Sequence, residues 1–160
     1  MGPLFAVFTE RIGGSVLDIS WSWALYLGVT GVGVIIVGRL SDILPHGKER
    51  LAVAGYALTA LFTFTYLLVQ TPWHLFFVQT GLGIALALAN PTWYALYHRY
   101  TTRKESGYAW GLSDGTGKIL TAGAILLGGF IVQRFSFEVL FIIMGIIQIM
   151  ATLYLAKLLK

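Results

Sequence analysis

The eight residues 111–118, Gly-Leu-Ser-Asp-Gly-Thr-Gly-Lys, hold the densest set of chemically capable side chains in the protein. Two enzymatic patterns pass through them. Ser113 between Gly111 and Gly115 matches the Gly-x-Ser-x-Gly of a nucleophile elbow, which needs a strand before it, a helix after it, and a histidine and an acid within reach. None of that context surrounds it. Gly117-Lys118 is similar to the end of a phosphate loop, but Leu112 stands where the first glycine belongs and Ile119 where a magnesium-holding hydroxyl belongs. The sequence therefore does not read as an enzyme. What remains is Asp114 and Lys118 at i, i+4, the acid preceding the base in the favourable order on a helix. Gly117, Thr121, Ala124 and Gly128 continue that face as a small-residue seam suited to close helix packing.

The elements that carry these residues are apolar and long. Uncharged runs cover 19–37, 51–69, 75–97, 119–132 and 139–156; 57% of the 160 residues are hydrophobic and only 11% charged. About 20 apolar residues at helical rise cross the hydrocarbon core, and lipid supplies no partner for unpaired backbone groups. With 19 glycines and no period-2 alternation, the fold class is all-α, a polytopic transmembrane helix bundle in a single domain. Run 119–132 is only about 21 Å long, so its helix must extend back through Lys118 and Asp114 to span. An intramembrane charge is costly and belongs against the bundle interior or a water-filled path. Two readings of the pair stay open: a polar station on a path, or a structural pair whose lysine reaches the interface. Gln79 and Asn90 are the other intramembrane polar candidates. Asn90-Pro91 removes a backbone hydrogen bond late in its span and implies a bend.

Charge fixes the expected topology. Of 11 lysines and arginines, eight (Arg39, Lys48, Arg50, Arg99, Arg103, Lys104, Lys157 and Lys160) lie in segments that alternate down the chain, against Arg11 and Arg134 on the opposite side. This positive-inside bias places the 38–50 loop, the loop after His98 and the C-terminus in the cytoplasm. The net charge of +4 is thereby a topology signal and not a nucleic-acid footprint. Residues 1–9 are apolar but reach only about 13 Å as a helix, and they lack a basic segment or cleavage pattern of a signal peptide. They read as a remnant of a first span. His46, His74 and His98 sit at loops or span ends without carboxylate neighbours, so neither a metal nor another cofactor is expected.

The second span ends in Gly38-Arg39-Leu40-Ser41-Asp42, followed by Gly47-Lys48-Glu49-Arg50. This resembles the signature loop of the major facilitator superfamily, with Ile43 in place of a basic residue and Gly47 two positions late. Gln79-Thr80-Gly81-Leu82-Gly83 is similar to the family's fourth-helix element, with Phe77 where an arginine normally stands. Gly128-Gly129 resembles the tail of an antiporter motif whose Gly-Pro is here Ala124-Ile125, so proton antiport is not implied. Gly81, Ala85 and Ala89 recur every four residues as a packing stripe. The resemblance implies one six-helix half: a remnant over 1–11 and spans near 19–38, 50–70, 74–98, 106–132 and 138–157. It further implies alternating-access transport of a small solute, with Gly38, Leu40, Asp42, Gly47, Lys48 and Arg50 forming a gate loop latched through Asp42. Gln79, Asn90, Asp114 and Lys118 are then candidates for the solute path. The expected partners are a lipid bilayer, an unidentified small molecule and a second six-helix half, from a parallel homodimer or from a longer chain, and no nucleic acid. The expected location is a bacterial-type inner membrane. The competing reading is a non-transporting membrane scaffold or assembly subunit.

Because the chain has no cysteine, sidedness is directly testable. Cysteines introduced at Ser41 and Thr101 should be shielded from an impermeant thiol reagent in intact cells, and one at Gln133 should react. The opposite labelling pattern would invert the topology.

Overall fold

The computed structural model describes residues 2–43, 48–100 and 106–158, and all elements in them are helical. Helix α1 covers Gly2–Arg11, α2 Val16–Ile43, α3 Lys48–Thr65, α4 Pro72–Tyr100, α5 Ser106–Arg134 and α6 Phe137–Leu158, with a 3-10 turn at Tyr66–Leu68 extending α3. Five stretches are long and apolar enough to cross a membrane: Val16–Ser41, Lys48–Leu68, Pro72–Pro91, Trp110–Arg134 and Phe137–Leu158. Helix α5 begins at Ser106 and carries Asp114 and Lys118 within its apolar stretch. Helix α4 runs as one element through Pro91.

Local chemistry explains the helix ends. Gly13 adopts a positive φ of 80°, open to glycine without steric cost, and closes α1 through its own N–H to the Glu10 carbonyl and that of Gly14 to the Thr9 carbonyl. Ser15 then opens α2 in a capping box. The Asp18 N–H donates to Ser15 Oγ at 3.3 Å, while the Ser15 N–H donates to Asp18 Oδ2 at 2.7 Å. Pro72 occupies the first position of α4, where its missing N–H costs nothing. Ser136 Oγ accepts from the Val139 N–H at 3.3 Å to start α6, and Glu138 in that first turn suits the positive helix end.

Packing is organised on α4. Its extensive interfaces are with α2 and α3, and α3 packs in turn on α6. The α3 contact is backbone to backbone: a Cβ on Gly55 would lie 2.7 Å from both the Ala85 carbonyl oxygen and the Ala89 nitrogen. On the α2 side a Cβ on Gly33 would lie 2.5 Å from the Ala87 Cβ. Between apolar helices in lipid the driving force is such close van der Waals contact, which only small residues permit. The short helix α1 is held by an aromatic cluster. Phe8 meets Phe141 edge-on at 5.0 Å and Tyr66 at 5.8 Å, and Tyr66 stacks on Phe141 at 4.9 Å. Thr9, fully buried, returns its hydroxyl to the Phe5 carbonyl and leaves no polar atom unpaired. By contrast α5 packs only lightly, on α6 and α1.

Glycine substitutions separate these environments. Gly55→Ala should destabilise the chain by about 1–3 kcal/mol, since the obstructing atoms are backbone and cannot turn aside. Gly31→Ala, where an added Cβ meets nothing within 4 Å, should be neutral or slightly stabilising. Thermal melts of the two variants in the same detergent check the contrast.

Candidate functional site

The α5 seam divides along its length. At one end Gly128 is buried, and a Cβ there would stand 3.1 Å from Leu4 Cδ1 and 3.5 Å from Leu140 Cδ1, so it packs against α1 and α6. Thr121, Ala124 and Gly128 also edge a cavity of about 170 Å³ with Leu4, Leu140 and Met144. At the other end Gly117 meets nothing within 4 Å. Here the seam opens.

Asp114 and Lys118 form the expected ion pair on that open stretch, with side chains 66% and 73% exposed. They line a groove of about 530 Å³ with Ser113, Gly117 and Thr121 from α5. The aromatic wall is Tyr94 from α4 and Trp110 from α5, whose rings sit 5.4 Å apart at 39°. Thr121 donates its hydroxyl to the Gly117 carbonyl at 2.7 Å, so toward the groove it offers an acceptor. At helical rise Lys118 lies about 24 Å and Asp114 about 30 Å from Arg134, so the pair stands toward the end of α5 that begins at Ser106. The arrangement offers an acid, a base, hydroxyls and two rings on one open face. It can exchange partners with a charged or amphipathic solute.

The other sequence candidates distribute as follows. Gln79 is 3% exposed and lies on a separate cavity, eleven residues of α4 or about 16 Å from Asn90. Asn90 is half-buried, one helical turn from Tyr94. Gly81, Ala85 and Ala89 are all buried: Gly81 faces the Phe62 ring, and Ala85 and Ala89 receive Gly55. In the gate loop, Gly38 has open space over its Cα, Leu40 is 44% exposed, and buried Ser41 donates its hydroxyl to the Gly38 carbonyl at 2.8 Å. Lys48 and Arg50 begin α3. The Asp42 side chain and Gly47 lie outside the described residues, as do His46 and the side chain of His98. Exposed His74 accepts the Gln70 N–H on Nδ1 at 3.3 Å, a local cap.

Sequence reasoning missed Trp110 and Tyr94. Trp110 stands four residues before Asp114, so helical periodicity alone could have found it. Tyr94 comes from another helix, and no spacing rule reaches it.

The Major Facilitator Superfamily profile covers residues 1–160. The chain belongs to the Major Facilitator Superfamily. It is an integral membrane protein of a transporter family, not an enzyme. Among curated relatives, the multidrug resistance protein MdtG of Enterobacter lignolyticus is 22% identical over 158 residues, covering 96% of this chain and 37% of that protein. The MdtG proteins of Yersinia enterocolitica and Salmonella arizonae are 22% and 21% identical, with 38% and 39% of their lengths covered. The chain thus spans less than two fifths of the length of these relatives. No solved structure matches it.

A mutant cycle tests the pair. Asp114→Asn and Lys118→Gln should each lower function or stability more than the double variant does, because each single change leaves one charge of an apolar helix without its partner. Additive effects would show that the two residues act independently.

Proposed function

We propose that the chain forms one half of a facilitator-type transporter that moves a small solute by alternating access, actively or down its gradient. The Asp114–Lys118 face of α5 lies on its solute path. The observation that carries this reading is the ion pair on the open face of a membrane helix. An exposed charge pair facing lipid would be strongly disfavoured, whereas one facing a wet cavity keeps its solvation. The groove therefore needs water and a covering wall. A second six-helix half, set parallel to this one, supplies both. Asn90 shares the α4 face of Tyr94 and belongs to the same wall, while Gln79 marks a separate station on α4.

The solute class is drawn from the groove and from the relatives' name. Two rings, a carboxylate and an ammonium suit an organic molecule with a flat apolar body and a charged end. The name multidrug resistance protein agrees with such a solute. A cationic solute would take Asp114 from Lys118, so entry would exchange one pair for another and avoid leaving either charge bare. At the loop end, Gly38 allows close helix approach, and Asp42 biases the gate together with Lys48 and Arg50. The expected membrane is a bacterial inner membrane with the 38–50 loop and C-terminus cytoplasmic.

Flux measurements in liposomes test the proposal. Saturable uptake of a fluorescent organic cation should require a second half, supplied as a parallel copy or as the remainder of a longer chain. Asp114→Asn paired with Lys118→Gln should cut that uptake by roughly tenfold or more, the size of one lost charge-assisted contact of about 1.4 kcal/mol. Saturable flux by crosslink-verified monomers, or wild-type flux in the double variant, would contradict it.

A further inference from the structure

A second polar site lies inside the bundle, away from the α5 groove. A cavity of about 190 Å³ is walled by Phe5, Trp23, Tyr26, Tyr66, Gln79, Thr59, Thr63 and neighbouring aliphatic side chains. Phe5, Trp23, Gln79 and Met144 each stand about seven residues from the helix ends Arg11, Val16, Pro72 and Phe137. At helical rise this puts the cavity roughly 10 Å inside the end of the bundle where those helices connect. The α5 pair lies toward the opposite end.

Gln79 is the informative residue. The residue is only 3% exposed, yet its side chain makes no hydrogen bond to any described residue. No fully sealed side-chain nitrogen or oxygen among the described residues lacks a partner, so its amide must open on the cavity. A buried amide without a partner is costly, and a roomy polar cavity is filled by something that pairs with it. The two threonines have turned their protons inward: Thr59 donates to the Gly55 carbonyl at 2.9 Å and Thr63 to the Thr59 carbonyl at 2.7 Å. They leave acceptor lone pairs for the cavity. Gln79 adds two donors and an acceptor.

The walls define the rest of the occupant. Phe5 and Trp23 are 5.9 Å apart and Trp23 and Tyr26 5.3 Å apart, both tilted, which builds an aromatic corner. Such a corner takes another ring edge-on or offset. No charged residue lines the cavity, so neither an anion nor a cation finds a counter-charge there. Room for a single small ring with one polar substituent remains, since an apolar cavity of about 150 Å³ takes up benzene.

We propose that this cavity is a binding site for a small uncharged aromatic molecule bearing a hydrogen-bonding group such as a carboxamide or hydroxyl, held by the Gln79 amide against the Phe5–Trp23–Tyr26 corner. The test reads binding alone, so its outcome is separate from that of the flux measurements. The purified chain in lipid nanodiscs is titrated with 4-fluorobenzamide and followed by fluorine NMR, with empty nanodiscs subtracted. Fluorotoluene and a fluorophenyl-trimethylammonium serve as the apolar and cationic comparisons. One saturable site per chain is expected for the benzamide, with at least tenfold weaker binding in Gln79→Met, a near-isosteric change. Fluorotoluene should bind both proteins alike. Thr59→Val, which keeps shape and removes an acceptor, should weaken the benzamide a few-fold and guards against a folding defect in the first variant. Absence of saturable benzamide binding, as for a cavity holding only water, would overturn the proposal. So would equal binding in Gln79→Met, or tighter binding of the cation.

Discussion

Backbone-to-backbone contact along α4 is the constraint on which the bundle rests. Apolar side chains gain nothing by leaving lipid for one another, so helices associate where their surfaces fit closely. Gly55 lies against the α4 backbone at Ala85 and Ala89, and Gly33 against Ala87 from the other side. Thr30 adds a longer polar contact from α2, its Oγ 3.4 Å from the Gly83 carbonyl. With α2 and α3 committed to α4, and α6 committed to α3, α5 is left with light contacts to α6 and α1. Its polar stretch is therefore left uncovered.

Polar groups are consequently sorted by depth and by helix. The charged pair sits on the exposed stretch of α5. The uncharged set, Gln79 with Thr59 and Thr63, sits inside the packed helices, where a charge would be far more costly. Several threonine hydroxyls elsewhere in the spans are returned to their own helix, as Thr80 Oγ to the Phe76 carbonyl at 2.8 Å and Thr152 Oγ to the Gln148 carbonyl at 2.7 Å. Such back-bonding lets threonine stand in a membrane helix without a partner on another element.

Much of this was legible in the sequence because membrane helices announce themselves by composition. The apolar runs gave the class, and the residues at the end of the second span resembled a family whose profile covers the whole chain. The Asp114–Lys118 pairing followed from a spacing of four on a helix. The packing stripe of Gly81, Ala85 and Ala89 was visible as a repeat, but its partner Gly55 was not, since nothing in α3 marks which glycine meets it. The seam from Gly117 to Gly128 looked uniform in sequence and is divided in space, because α1 and α6 cover only its far half. Tyr94, Trp23 and Tyr26 escaped notice for a related reason. Aromatic residues are common in membrane helices, and only the meeting of different helices turns them into walls.

On the proposed reading, the Asp114–Lys118 face of α5 borders water in the assembled protein. Spin labels placed singly at 112 through 125 of the otherwise cysteine-free chain report this directly, through collision with a water-soluble nickel complex and with lipid-soluble oxygen. Nickel accessibility should rise and fall with a period of about 3.6 residues, with maxima at 114, 117 and 121 and oxygen out of phase with it. Flat profiles, or oxygen maxima on that same face, would mean that it borders lipid, and the solute path would have to lie elsewhere.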